Sequence, residues 1–156
     1  MKIPSKKEID ENRGKDFPLI PHEEYKLVIT EAKETQQPKY DNQEMLEDVV
    51  NITFTVEGYK TGTDAPVDAD GEVLVNRKVW FNARPNSMGF QQDGTPAKTR
   101  CLVYYALGQT DLLEELEFED WQDLVGKTVY AEISQKANQK GKQVNFISRF
   151  VLPPRK

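Results

Sequence analysis

At 156 residues, 37% hydrophobic and 30% charged, the chain is long enough to bury one core, and no apolar run reaches the length that spans a membrane. A net charge of −5 excludes a histone-like binder that works by total charge, so any nucleic-acid surface must be local. A single cysteine, Cys101, and a single histidine, His22, exclude an intrachain disulfide and put a structural zinc site of the usual ligand type out of reach.

The start, Met1-Lys-Ile-Pro-Ser-Lys-Lys-Glu8, lacks the apolar middle of a signal peptide, so a cytoplasmic protein is expected. Residues 1–22 read as a flexible arm, with Pro4, Pro18 and Pro21 and scattered charges without apolar period; Phe17, Leu19 and Ile20 are its candidate tethers. Residues 23–156 then form one domain. The first strand is expected from Tyr25 to Ala32, where Tyr25, Leu27 and Ile29 share one parity. A polar connection, Thr35 to Asn42, leads to the cleanest alternation in the chain: Val50, Ile52, Phe54 and Val56 against Asn51, Thr53 and Thr55.

An acidic turn, Gly58 to Glu72, precedes a third strand expected over Val73 to Asn82. There Val75, Val79 and Phe81 share a parity that Arg77 breaks. Thr95 before Pro96 reads as a helix start, because threonine can cap free N–H groups and proline fits the first turn. That helix should run to about Leu107, with Gly108 placed to end it. A second, acid-loaded helical piece is expected over Asp111 to Val125.

Two runs, Lys127 to Gln135 and Gln143 to Val151, close the chain as a hairpin about a basic turn in which Asn138 and Gly141 can take positive φ. Positive charge collects here: residues 126–156 hold seven basic residues against one acid, Glu132, whereas residues 1–125 carry −11.

Three strands, helical material, then two strands is the order of a five-stranded barrel of the oligonucleotide/oligosaccharide-binding (OB) type, with helices between strands three and four. The competing architecture is an open antiparallel sheet with helices packed on one side. The chain resembles the OB-fold single-stranded DNA-binding proteins of bacteriophages and prophages, many of them small proteins of unknown function. The likeness rests on Tyr25-Lys-Leu-Val-Ile-Thr-Glu-Ala32, Val50-Asn-Ile-Thr-Phe-Thr-Val56, Arg77-Lys-Val-Trp-Phe-Asn82, Tyr105-Ala-Leu-Gly108, Leu124-Val-Gly-Lys-Thr-Val-Tyr-Ala-Glu-Ile133, and Gly141 to Phe146 closing on Arg149. These are patterns of residue type over roughly 25–151. The chain departs from the bacterial members in its end, Leu152-Pro-Pro-Arg-Lys156, where they carry an acidic tip that recruits partners.

Candidate binding residues follow from chemistry and placement. Trp80 should face outward beside Lys78 and Asn82 if Val79 and Phe81 enter the core; an exposed indole there suits base stacking. The competing role is a ring covering the barrel beneath the arm or a helix. In an OB barrel the connections after strands one and four flank the ligand groove. Here they hold Lys39 and Tyr40, and Lys136, Lys140 and Lys142, at what is expected to be one end of one groove. Arg77, Arg84 and Arg149 extend the set toward phosphates, as do Lys98 and Arg100 less directly; Tyr130 and Phe146 are further stacking candidates.

Asp64, Asp68, Asp70 and Glu72 lack the spacing of a calcium loop and read as an acidic hairpin turn. Asp111 to Asp123 carry −7 with no base, which reads as a solvated face or a dock for a basic protein. No phosphate-cradling glycine loop, serine elbow or histidine-based triad is present, and Cys101 sits in an apolar run as filler, so neither an enzyme nor a cofactor is expected.

The expected function is binding of single-stranded DNA, or RNA, with little sequence preference, during phage or mobile-element replication or recombination. Replication or recombination proteins are the expected partners. The alternative is a protein-interaction module of a replication or virion assembly.

Overall fold

The computed structural model describes residues 19–39, 42 and 44–154. The alternating runs form five strands: β1, Glu23–Pro38; β2, Leu46–Tyr59; β3, Lys78–Ala83; β4, Thr128–Ala137; and β5, Gln143–Val151. Among the described residues there is one α-helix, α1, Lys98–Ala106, between β3 and β4 in the chain, and a 3₁₀ turn, Trp121–Leu124, just before β4. Every neighbouring pair is antiparallel, in the order β3-β2-β1-β4-β5. Among the described residues no helix is long and apolar enough to cross a membrane.

The middle strand sets the geometry. Its first part pairs on both sides, Val28 facing Thr55 of β2 and Thr128 of β4. Just beyond, the Ile29 N–H donates to the Lys127 carbonyl at 2.9 Å and the Gly126 N–H donates to the Ile29 carbonyl at 2.7 Å. That turn needs Gly126 at φ 88°, which side chains rarely adopt. The register then slips between Ile29 and Glu31, leaving Thr30 as an extra residue. The bulge inverts the alternation, so Ile29 faces inward before it and Ala32 after it. From there β1 continues with β2 alone as an exposed two-stranded ribbon, made from part of the polar stretch that the sequence presents as a connection.

One face of the sheet is core: Leu27, Ile52, Phe54, Val129, Ala131 and Ile133 meet Leu102 and Val103 of α1 and Leu124 of the 3₁₀ turn. Each fully buried side chain of this kind contributes roughly 1.5–3 kcal/mol. Phe150 of β5 touches Phe54 of β2 (centroids 5.8 Å apart) and, edge-on, Phe81 of β3 (5.3 Å). The ladder itself is open between β3 and β5; these rings join its two edges.

Several local expectations are corrected. The third strand begins at Lys78, not Val73, because Asn76 (φ 77°) and the bond from the Arg77 N–H to the Leu74 carbonyl make a turn where parity breaks. α1 begins at Lys98 with Ala97 at its cap and no capping side chain. Thr95 and Pro96 instead belong to an extended return, in which the Thr95 carbonyl accepts from Gln91 and Pro96 bridges Phe90.

The second helix is absent apart from Trp121–Leu124. The Leu112 and Glu114 carbonyls accept from the Arg100 guanidinium, and Glu114 accepts as well from Tyr104 Oη at 2.5 Å. Those contacts tie the segment against α1 in an irregular path, and acids four apart repel one another in a helix. In the closing turn Gly141 takes positive φ (78°), but Asn138 does not; its Oδ1 accepts from the Lys140 and Lys142 N–H groups.

Ile20 is buried, its N–H donating to Asn145 Oδ1 (2.9 Å) and its carbonyl accepting from Asn145 Nδ2 (2.8 Å) and Gln135 Nε2 (3.0 Å). Phe17 and the rest of residues 1–18 lie outside the described residues.

Candidate functional site

Residues paired in register share a face, so the ladders fix which side chains lie opposite the core. Lys78 pairs with Thr55, Trp80 with Thr53 and Asn82 with Asn51; Thr55, Thr53 and Asn51 pair in turn with Val28, Glu31 and Lys33 of β1. On the other side Tyr130 pairs with Lys26, Glu132 with Arg149, Ser134 with Phe146 and Lys136 with Val144. Six of the sequence candidates therefore share the outward face: Lys78, Trp80, Tyr130, Lys136, Phe146 and Arg149.

Trp80 is the largest exposed ring of this face, on its β3 edge. Its neighbours along β3, Val79 and Phe81, turn inward, and the indole is 57% exposed. Thr53 opposite it is only 5% exposed, so the ring lies partly over β2 and leaves its remainder to solvent. Asn82 accepts a hydrogen bond from Asn51 Nδ2 at 2.9 Å, which fixes the polar position beside the ring. Lys78 is exposed and has no acidic partner among the described residues. The chain matches no protein-family model and no curated protein sequence. The reading of this face therefore rests on its own chemistry: a flat π surface flanked by an ammonium and an amide.

The remaining candidates are placed less uniformly. Arg84 is tied to the Glu47 carboxylate, and Arg149 lies 3.4 Å from Glu132, so each carries its own counter-charge. Arg77 sits half-buried in the turn before β3, its carbonyl accepting from Val56 at 2.9 Å. Lys39 is half-buried just past β1, and Tyr40 lies outside the described residues.

The two lysine-bearing connections are not at one end of a groove. β4 pairs Ile133 with Glu23, so the 138–142 turn lies off the start of β1, whereas the 39–45 connection lies off its end. This follows from β1 being antiparallel to both β2 and β4. Lys39 and the trio Lys136, Lys140 and Lys142 thus bracket the outward face from opposite ends of β1.

Sequence reasoning did not single out Lys26, Lys33 and Asn51, which the registers add to this face. The signal was present in the strict alternation of β2, whose polar positions Asn51, Thr53 and Thr55 had to pair with the outward residues of both neighbours. Lys26 is itself paired to Glu57 at 3.5 Å. A separate cleft of about 280 Å³, lined by Glu23, Glu24, Tyr59, Lys60 and Thr61, lies near the start of β1 and shares none of the candidates.

Glu132 is the one acid on the outward side of β4 and β5 with several partners. It accepts from Ser148 Oγ at 2.6 Å, and Arg149 and His22 stand 3.4 and 3.6 Å away. The Ser148 hydroxyl above all holds its carboxyl below the usual range; burial opposes it, and Arg149 and His22 add to the lowering. A depressed folded pKa stabilises the fold above the unfolded value of about 4.3, and that stabilisation is lost as pH falls through the folded value. Glu132→Gln is therefore expected to lower the urea midpoint near neutral pH, with the gap to the parent shrinking steadily as pH falls below the unfolded value; a gap that does not shrink in acid would assign the loss to something other than ionisation.

Proposed function

We propose that the chain closes as an OB-type barrel and binds single-stranded DNA with little sequence preference, stacking bases on Trp80 while Lys78 and the lysines at the two ends of the outward face neutralise phosphates. Support for the barrel comes from the strand order about a long, bulged β1, a helix between β3 and β4, and the ring contacts linking β3 to β5. The single observation that carries the binding reading is the 57% exposure of a mid-strand tryptophan whose neighbours are a lysine and an asparagine. A large aromatic ring costs free energy when left in water, and a base removes that cost without requiring sequence readout. The resemblance to phage and prophage proteins suggests DNA replication or recombination as the setting.

Titration with oligo-dT, followed by tryptophan emission, tests this directly. Trp121 is 8% exposed and packed edge-on against Phe118, so quenching reports on Trp80. Engagement of three phosphates predicts an affinity roughly 20-fold weaker at about 200 mM salt than at about 50 mM, from a slope near −0.7 per neutralised phosphate. Absence of quenching at low salt would sink the reading. Recovery of a stoichiometric protein partner in that case would favour the interaction module.

A further inference from the structure

At the β4–β5 side of the outward face, away from Trp80, the structure holds a second cationic feature that reaches onto α1. Phe146 of β5 has two ammonium groups about its ring: Lys136 Nζ of β4 at 4.6 Å from the centroid and Lys98 Nζ, from the first residue of α1, at 5.6 Å. The ring faces outward with Ser134. Lys98 is anchored by donation to the Ile147 carbonyl at 3.2 Å, which fixes its ammonium group against β5.

Neither lysine has a carboxylate partner among the described residues, and the first turn of α1 contains no acid. Two like charges gathered on one half-buried ring repel each other. Burial first, and Lys136 second, press the Lys98 ammonium below its ordinary proton affinity, as expected of a cation held without a counter-ion. For two other cations of the outward face the fold supplies a counter-charge, Glu132 for Arg149 and Glu57 for Lys26. Here it does not.

We propose that Lys98, Lys136 and Phe146 form a seat for phosphate, the ring and the Ile147 carbonyl holding both ammonium groups in place for phosphate oxygens to bridge. As a contact for a polynucleotide backbone the seat rests on the proposed function and extends it: a bound strand would be neutralised at the start of α1, on an element that carries none of the stacking face. Lysine acts here as a point charge, so the seat recognises the phosphate and not the base. The same chemistry would accept inorganic phosphate.

The test compares the salt dependence of oligo-dT binding in the parent, Lys98→Gln, Lys136→Gln and the double variant. Each single change is expected to make the log–log slope shallower by about 0.7, and both together by about 1.4. Lys98→Arg should restore the parent slope, which separates lost charge from lost packing. If the parent binds oligo-dT and the glutamine variants keep its slope, the seat is refuted while the stacking reading stands.

If the parent does not bind oligo-dT, the proposed function falls, and titration with inorganic phosphate decides the seat. Shifts of the Lys98 and Lys136 side-chain resonances that vanish in Lys98→Gln would support a site for the free anion. Unmoved resonances would overturn it.

Discussion

Replacing Trp80 with alanine is expected to weaken oligo-dT binding by about 1–3 kcal/mol, roughly 5- to 150-fold, while leaving the salt slope unchanged. The two halves of that statement have separate causes. Stacking is lost with the ring, whereas the slope counts phosphates neutralised by Lys78 and the other cations, which the substitution does not touch. Stability should fall by less than for truncation of a core aromatic, because the ring is 57% exposed and only its covered part contributes to packing. Trp80→Phe should retain much of the affinity, since any flat aromatic face can stack. A Trp80→Ala variant that binds as tightly as the parent would remove the ring from the site. One that unfolds in much less urea would instead show that the indole is a cover for the sheet.

Much of this arrangement was legible in the chain because period-2 alternation is a local signal with a fixed geometric meaning. Val79 and Phe81 had to point one way if β3 was a strand at all, and that alone turned Trp80 outward between Lys78 and Asn82. Val129, Ala131 and Ile133 settled the inner face of β4 in the same way. What could not be read locally were the places where a distant side chain competes for backbone groups. Nothing in residues 111–120 says that the carbonyls of Leu112 and Glu114 accept from Arg100 and Tyr104, contacts that tie the segment to α1.

The relation between the two lysine-bearing connections was likewise hidden. It depends on which strands β1 accepts as neighbours, and periodicity carries no information about pairing. The bulge at Thr30 adds a second obstacle, since one extra residue exchanges the inner and outer positions of everything after it on β1. Lys33 joins the outward face for that reason, opposite Asn51, although it shares the parity of the inward residues Tyr25, Leu27 and Ile29.

Phe150→Ala is expected to cost about 3–5 kcal/mol, a large part of the roughly 5–15 kcal/mol that holds a domain of this size together. The size follows from position. Phe150 is 6% exposed and touches Phe54 of β2 and Phe81 of β3, so its ring spans the core between the two ends of the open ladder. Truncation leaves a cavity bordered by strands that share no backbone bonds across it, where little can collapse inward to fill the space. Urea unfolding measures the loss.

Hydrogen exchange locates it, because the β3 amides are protected only by β2 and by this contact from behind. They should exchange faster in Phe150→Ala than those of β1, which is paired on both sides along its first part. Pairing the change with Phe81→Ala gives a sharper test: rings in edge-on contact should couple by about 0.5–1.5 kcal/mol, so the double variant should lose less than the sum of the singles. Strict additivity would mean that β3 and β5 are held independently of each other. The outward face, with Trp80 on one edge strand and Arg149 on the other, would then be joined only through the ladders of β2, β1 and β4 and not by the rings beneath it.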